Sequence, residues 1–214
     1  MREAQPDIDN TRRRFEMVRS FAPADLLTLC NAACGTLIVF MCLNHLDTGE
    51  TRYLWIAFAL FPAALALDAA DGWVARLSRR KSNLGADLDS LADIVSFGVG
   101  PAVLGYTLGL RGGWDVVLLV YFVACGISRL ARYNVTVDDL SDSSGKVRYY
   151  QGAPIPASLV LVALLAAAYW SDAVGAGLWL GRVRFLGMYF HPLALAYLAV
   201  GSAMISSRLR IPKP

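Results

Sequence analysis

The sequence predicts an all-α integral membrane protein of about six transmembrane helices, with a candidate amphipathic helix lying on the membrane before the first of them. Three observations predict it. Of the 214 residues, 56% are hydrophobic and only 17% charged, with a mean hydropathy of +0.46, whereas a soluble domain carries about a quarter charged and roughly 45–50% apolar residues. Long uncharged apolar runs recur along the chain, and the basic residues between them fall mostly in alternate connections. This composition excludes a disordered chain, which needs low hydrophobicity and high charge. Four cysteines, three of them (Cys30, Cys34, Cys42) within one apolar run, behave as small hydrophobes and do not form a disulfide framework.

Residues 1–22 read as a basic segment. Residues 11–19 mix arginines with apolar residues, which fits either a helix on the membrane surface or a solvated basic tail. The charged first twenty residues do not resemble a cleaved leader. Runs 26–45 and 185–207 are uncharged over 20 and 23 residues, enough to cross about 30 Å of hydrocarbon as helices. Run 154–170 is slightly short. Runs 53–67, 94–110 and 116–127 span only if a charged turn extends each of them. The expected helices are 26–46, 52–77, 86–110, 114–134, 153–172 and 185–207, forming a membrane unit over 23–207 followed by a basic tail, 208–214. Helices are the form that satisfies backbone groups in lipid. Sixteen of the 20 Lys and Arg residues fall on the side of the two termini; Arg52, Arg111, Arg182 and Arg184 fall on the other. The positive-inside rule therefore puts both termini in the cytoplasm. Basic residues split among four short juxtamembrane segments argue against nucleic-acid binding.

Charges inside membrane helices are costly and usually functional. The second expected helix carries Asp68 and Asp71, three apart, and the third carries Asp89 and Asp93, four apart; each pair shares a helix face. Gly72 and Ala75 keep the first acidic face free of bulk, and Gly85 sits four residues before Asp89. Two such faces joined by a short basic loop make a four-carboxylate cluster near the cytoplasmic surface. Four close carboxylates need a countercharge. Hard oxygen donors suit Mg2+ or Mn2+, and two such ions about 4 Å apart clamp a diphosphate for in-line displacement. A lone intramembrane aspartate would equally suit an arginine partner or a proton relay. Asp87 lies on another face and reads as a solvated charge.

The pattern D-x-x-D-G-x-x-A-R, eight residues, then G-x-x-x-D-x-x-x-D resembles the signature of the CDP-alcohol phosphatidyltransferase family at all eight positions: Asp68, Asp71, Gly72, Ala75, Arg76, Gly85, Asp89 and Asp93. The resemblance implies a six-helix membrane transferase, usually a homodimer, acting on a CDP-linked lipid. It implies that the four aspartates bind two divalent ions, that Asp93 also serves as the base, and that Asp68, Gly72, Ala75, Arg76 and Gly85 border the CDP moiety. Residues 88–102 (LDSLADIVSFGVGPA), 128–135 (SRLARYNV), 150–157 (YQGAPIPA) and the first span (LLTLCN at 26–31, then Cys34 and Gly35) are similar to phosphatidylserine synthases of the bacterial and archaeal membrane type. That subgroup acts on CDP-diacylglycerol and L-serine in the inner or plasma membrane of a prokaryote. Ala24-Asp25 stands where the subgroup usually has Pro-Asn, so Asp25 replaces an expected asparagine.

Serine's carboxylate calls for a cation. Arg129 and Arg132, three apart, are candidates for it or for the lipid phosphate, and as membrane anchors they need no ligand. Asn134, Gln151 and Asn31 are candidates for polar substrate contacts, although such amides often bond across to a neighbouring helix. The tryptophans, Tyr149 and Tyr150 read as interface-belt or packing residues. His45 and His191 sit far from the aspartates and are read as non-ligands. Glycerol 3-phosphate or an inositol phosphate are the alternative acceptors. A prenyltransferase gives no reason for Gly72, Ala75 and Arg76 at their spacing, and an ion-coupled transporter would show two related halves, which this chain does not.

Overall fold

The computed structural model describes residues 23–78, 83–140, 149–151, 153–206 and 210–212. Helix α1 (Pro23–Thr48) and helix α2 (Thr51–Ser78) form an antiparallel hairpin. The third span is one rod in three parts: α3 (Asn83–Asp93), a π-helical turn (Ile94–Val99) and α4 (Gly100–Leu108). Helix α5 (Gly113–Leu140) follows, then a strand β1 (Tyr149–Gln151), a 3-10 turn (Ile155–Ser158) leading into α6 (Leu159–Trp170), the hairpin β2 (Val183–Phe185) and β3 (Met188–Phe190), α7 (Ala194–Ile205) and β4 (Arg210–Pro212). Strand β1 pairs antiparallel with β4.

Among the described residues, four helices are long and apolar enough to cross a membrane: Pro23–Thr48, Thr51–Leu77, Gly85–Leu108 and Gly113–Val135. Two apolar helices, Ile155–Trp170 and Ala194–Ile205, are shorter. The third span is the central one, with 61% of its apolar window buried against 22–33% for the other three. That central position buries consecutive residues, Ser96, Phe97 and Gly98 in the π-turn and Gly100, Pro101 and Ala102 after it. The wider winding, marked by the Gly100 N–H bonding the Val95 carbonyl five residues back, sits just before Pro101, whose missing N–H favours such a defect. The core around it includes Ile38, Phe61, Phe97, Leu104, Phe122 and Tyr197, and the Tyr197 hydroxyl donates to the Pro101 carbonyl at 2.7 Å.

The expected sixth helix, 185–207, is corrected. Residues 183–190 form a two-stranded hairpin, and the helix begins only at Ala194. Leu186 and Gly187 have φ of 48° and 83°, the positive-φ pair of a tight hairpin turn. The His191 N–H is donated to Asp115 Oδ1 at 2.7 Å and Pro192 has none, so no helix runs through them. Asp115 also accepts from His191 Nδ1 at 2.7 Å and from the Gly112 N–H at 2.8 Å. Both side chains are almost wholly buried, at 0% and 1% exposed. Asp115 thus caps α5 from its third position and latches the hairpin to it. The basic segment 1–22, the loop residues Arg79, Arg80 and Lys81, and Lys146 and Arg148 lie outside the described residues.

Candidate active site

The acidic faces of α2 and α3 meet at one end of the bundle. One carboxylate oxygen from each of Asp68, Asp71 and Asp89 lies within 4.8 Å of the others. Asp93, one turn beyond Asp89 and 8% exposed, is not in that triad but lies within electrostatic reach of all three. The expected cluster is therefore three carboxylates in mutual contact distance and a fourth set deeper. Asp89 Oδ1 is buried with no hydrogen-bond partner among the described residues. An orphaned carboxylate oxygen beside two other carboxylates fits a hard divalent cation, which supplies the countercharge that like charges require.

Small residues keep the approach open. A side chain built on Gly72 would meet nothing nearer than Arg76 Nη1 at 4.0 Å, so the acidic face of α2 carries free space at that level. Ala75 and Gly85 are half-buried beside it, whereas Arg76 is exposed. Trp73, inside the motif but on another face, is 60% exposed and turned away.

The support comes from α1. Its buried positions Ala24, Asp25, Thr28, Asn31, Gly35, Ile38 and Cys42 form one stripe, and two of them reach the aspartates. Thr28 Oγ1 shares its hydrogen between the Ala24 carbonyl at 3.2 Å and Asp71 Oδ2 at 2.8 Å. Asn31 Nδ2 donates to Asp93 Oδ1 at 3.4 Å. Sequence reasoning missed Thr28. Its signal was a polar and small stripe, Thr28, Asn31 and Gly35, at helical spacing in an otherwise apolar span.

The remaining candidates divide. Arg129 on α5 is half-buried, with its guanidinium within electrostatic reach of Asp93; Arg132 is exposed. Asn134 bonds across to α3, exchanging hydrogen bonds with Ser90 Oγ at 3.1–3.2 Å and donating to Asp87 Oδ1 at 3.4 Å. It serves as the interhelical tie that amides often provide. The side chain of Gln151 lies outside the described residues. Asp25 is buried in α1. His45 borders a groove of about 540 Å³ at the opposite end of the bundle, with Trp55, Tyr169 and Trp170. His191 pairs with Asp115, so neither histidine joins the aspartates.

Comparison with known proteins points to one family. The chain is 41% identical over 209 residues to CDP-diacylglycerol–serine O-phosphatidyltransferase of Saccharomyces cerevisiae, covering 94% of this chain and 74% of that one. It is 45% identical over 114 residues to the protein of the same name from Mycobacterium tuberculosis, covering 51% and 39%. To archaetidylserine synthase of Methanothermobacter thermautotrophicus it is 34% identical over 141 residues, covering 64% and 54%. The matched stretches thus span less than two thirds of the second and third relatives. A relative from Saccharomyces means that the likeness is not confined to prokaryotes. The model of the CDP-alcohol phosphatidyltransferase family matches residues 21–200. That stretch takes in both acidic helices, the α1 stripe that supports them and most of the membrane unit: the chain is an integral membrane enzyme and belongs to the CDP-alcohol phosphatidyltransferase family.

Proposed function

We propose that the chain transfers the phosphatidyl group of CDP-diacylglycerol to the hydroxyl of L-serine, with release of CMP. The observation that carries this reading is the gathering of Asp68, Asp71 and Asp89 oxygens within 4.8 Å, beside the open space at Gly72. The serine acceptor is supported by relatives whose names specify it. In this reading the serine Oγ bonds to the phosphorus that carries the diacylglycerol. The bond from that phosphorus to the oxygen of CMP breaks, and Asp93 takes the hydroxyl proton. A weak nucleophile needs such a base. Asp68, Asp71 and Asp89, with Asp93, would hold Mg2+ or Mn2+, two ions in the full site. Bound there, a divalent cation offsets the charge that builds on the diphosphate oxygens.

Gly72, Ala75, Arg76 and Gly85 border the CDP. Arg129, within electrostatic reach of Asp93, receives serine's carboxylate or the lipid phosphate in this reading, and Arg132 is the outer cation. The site and both termini face the cytoplasm, an assignment supported by the charge asymmetry of the connections. The active form is a homodimer, as the family likeness implies.

The test is CMP release by the purified protein from CDP-diacylglycerol with a panel of acceptors, products being identified by mass spectrometry. Serine-dependent release that forms phosphatidylserine, vanishes on chelation and returns with Mn2+ or Mg2+ is expected. Asp93→Asn should lose at least about 100-fold in kcat, the scale of a general base. Release only with glycerol 3-phosphate or an inositol phosphate would sink the serine assignment, and turnover that survives chelation would sink the metal role of the aspartates.

A further inference from the structure

We infer that Asn31 is a positioning residue: through its Nδ2 it fixes the carboxylate of Asp93, and so completes on α1 a site whose acids stand on α2 and α3. The inference rests on the function proposed above. Asn31 is 0% exposed, and the side chain it meets is Asp93, so the inference assigns its amide to that carboxylate and not to an acceptor. Its side-chain Oδ1 is buried without a hydrogen-bond partner among the described residues, a cost that leucine at the same place would not carry. The compensation lies at its other end, in the 3.4 Å bond to Asp93 Oδ1. An ionised carboxylate only accepts, which sets the amide with its NH2 toward Asp93. With Oδ1 engaged, Oδ2 is the oxygen left for the acceptor hydroxyl.

The backbone of α1 is pinned at this level. Ser96 Oγ in the π-turn donates to the Asn31 carbonyl at 2.8 Å. Gly35, one turn on, lies so close that a Cβ there would stand 2.8 Å from the Ser96 backbone. One turn the other way, Thr28 holds Asp71. A single helix face therefore fixes one carboxylate of each acidic pair and sets their separation.

The test uses the full chain in detergent or nanodiscs and the variant Asn31→Leu, with Thr28→Val beside it. For Asn31→Leu, a fall in kcat of about 10–100-fold is expected, as for partners that orient a ligand carboxylate. KM for serine and CDP-diacylglycerol should stay within about threefold, the signature of an interaction that matters in the transition state. The Tm should change little, because removing the orphaned Asn31 Oδ1 offsets the donor lost to Asp93, and Mn2+ affinity, followed by electron paramagnetic resonance, should weaken about tenfold. A raised KM for serine at unchanged kcat would make Asn31 a substrate contact. A Tm lowered on the order of 10 °C or more, with kcat recovering fully on cooling, would make it a packing residue. Either result overturns the inference, as does a variant with unchanged kcat and unchanged Mn2+ affinity. If wild type turns over only another alcohol, the serine reading fails and the Asn31 comparison is made with that alcohol. If no acceptor supports turnover, Mn2+ affinity decides alone.

Discussion

Replacing Gly35 with alanine should damage catalysis more than stability. A Cβ on Gly35 would lie 2.6 Å from Ser96 Oγ and 2.8 Å from Ser96 N and Cα, where ordinary contact begins at 3.4 Å. The hydroxyl can rotate away; the backbone cannot. Helix α1 must therefore move from the π-turn by about 0.6 Å or more. Overpacking of this kind costs about 1–3 kcal/mol, and the higher helix propensity of alanine returns about 1 kcal/mol, so the net loss is roughly 0–2 kcal/mol. The catalytic loss is larger, because the same displacement acts on Asn31 and Thr28. The Asn31–Asp93 bond, already 3.4 Å long, does not survive it. Displacing a catalytic group by about 1 Å can cost on the order of 100-fold in rate, and a fall in kcat of about 10–100-fold is expected. The assay is CMP release with and without serine, run beside thermal unfolding in detergent. Gly105→Ala is the control, since its Cβ would strike Tyr197 Oη at 2.5 Å in the other half of the third span. It should lower Tm while leaving kcat within about twofold. Wild-type kcat in Gly35→Ala, or an equal loss in both variants, would refute the reasoning.

Two further outcomes follow from the same contacts. Asp115→Ala strips the acceptor from three donors, the buried His191 amide and Nδ1 and the part-buried Gly112 amide. Removing one partner of a buried pair costs about 3–5 kcal/mol. Tm should fall on the order of 10 °C with kcat retained below the transition, and His191→Ala should lose less, because Asp115 keeps two backbone donors; equal losses would contradict the capping role of Asp115. Asn134→Ala removes the tie to Ser90 and Asp87 and should cost about 1 kcal/mol of stability with KM for serine unchanged, so a selective rise in that KM would restore Asn134 to the serine site.

What could be read from the sequence was what local spacing determines. Asp68, Asp71, Asp89 and Asp93 are set by helical periodicity alone, since residues three and four apart share a face whatever the helices pack against, and two such faces across a short loop have little choice but to meet. The helix ends were less legible. Hydropathy scores the avoidance of water and not backbone shape, so the uncharged residues 185–193 looked like helix when Leu186 and Gly187 instead turn a hairpin and His191 spends its amide on Asp115. That partner is 76 positions away. The roles of Asn31 and Thr28 were hidden for the same reason. Asn31 stands 62 positions from Asp93 and Thr28 43 from Asp71, and nothing local distinguishes an amide that touches substrate from one that steadies the residue beside it. Gly35 and the π-turn hold α1 close to the third span, with Ser96 Oγ donating to the Asn31 carbonyl, and Asn31 Nδ2 lies within bonding distance of Asp93. A defect in one helix and a missing side chain in another thus decide which helix completes the site, and neither is a property of the acidic motif itself.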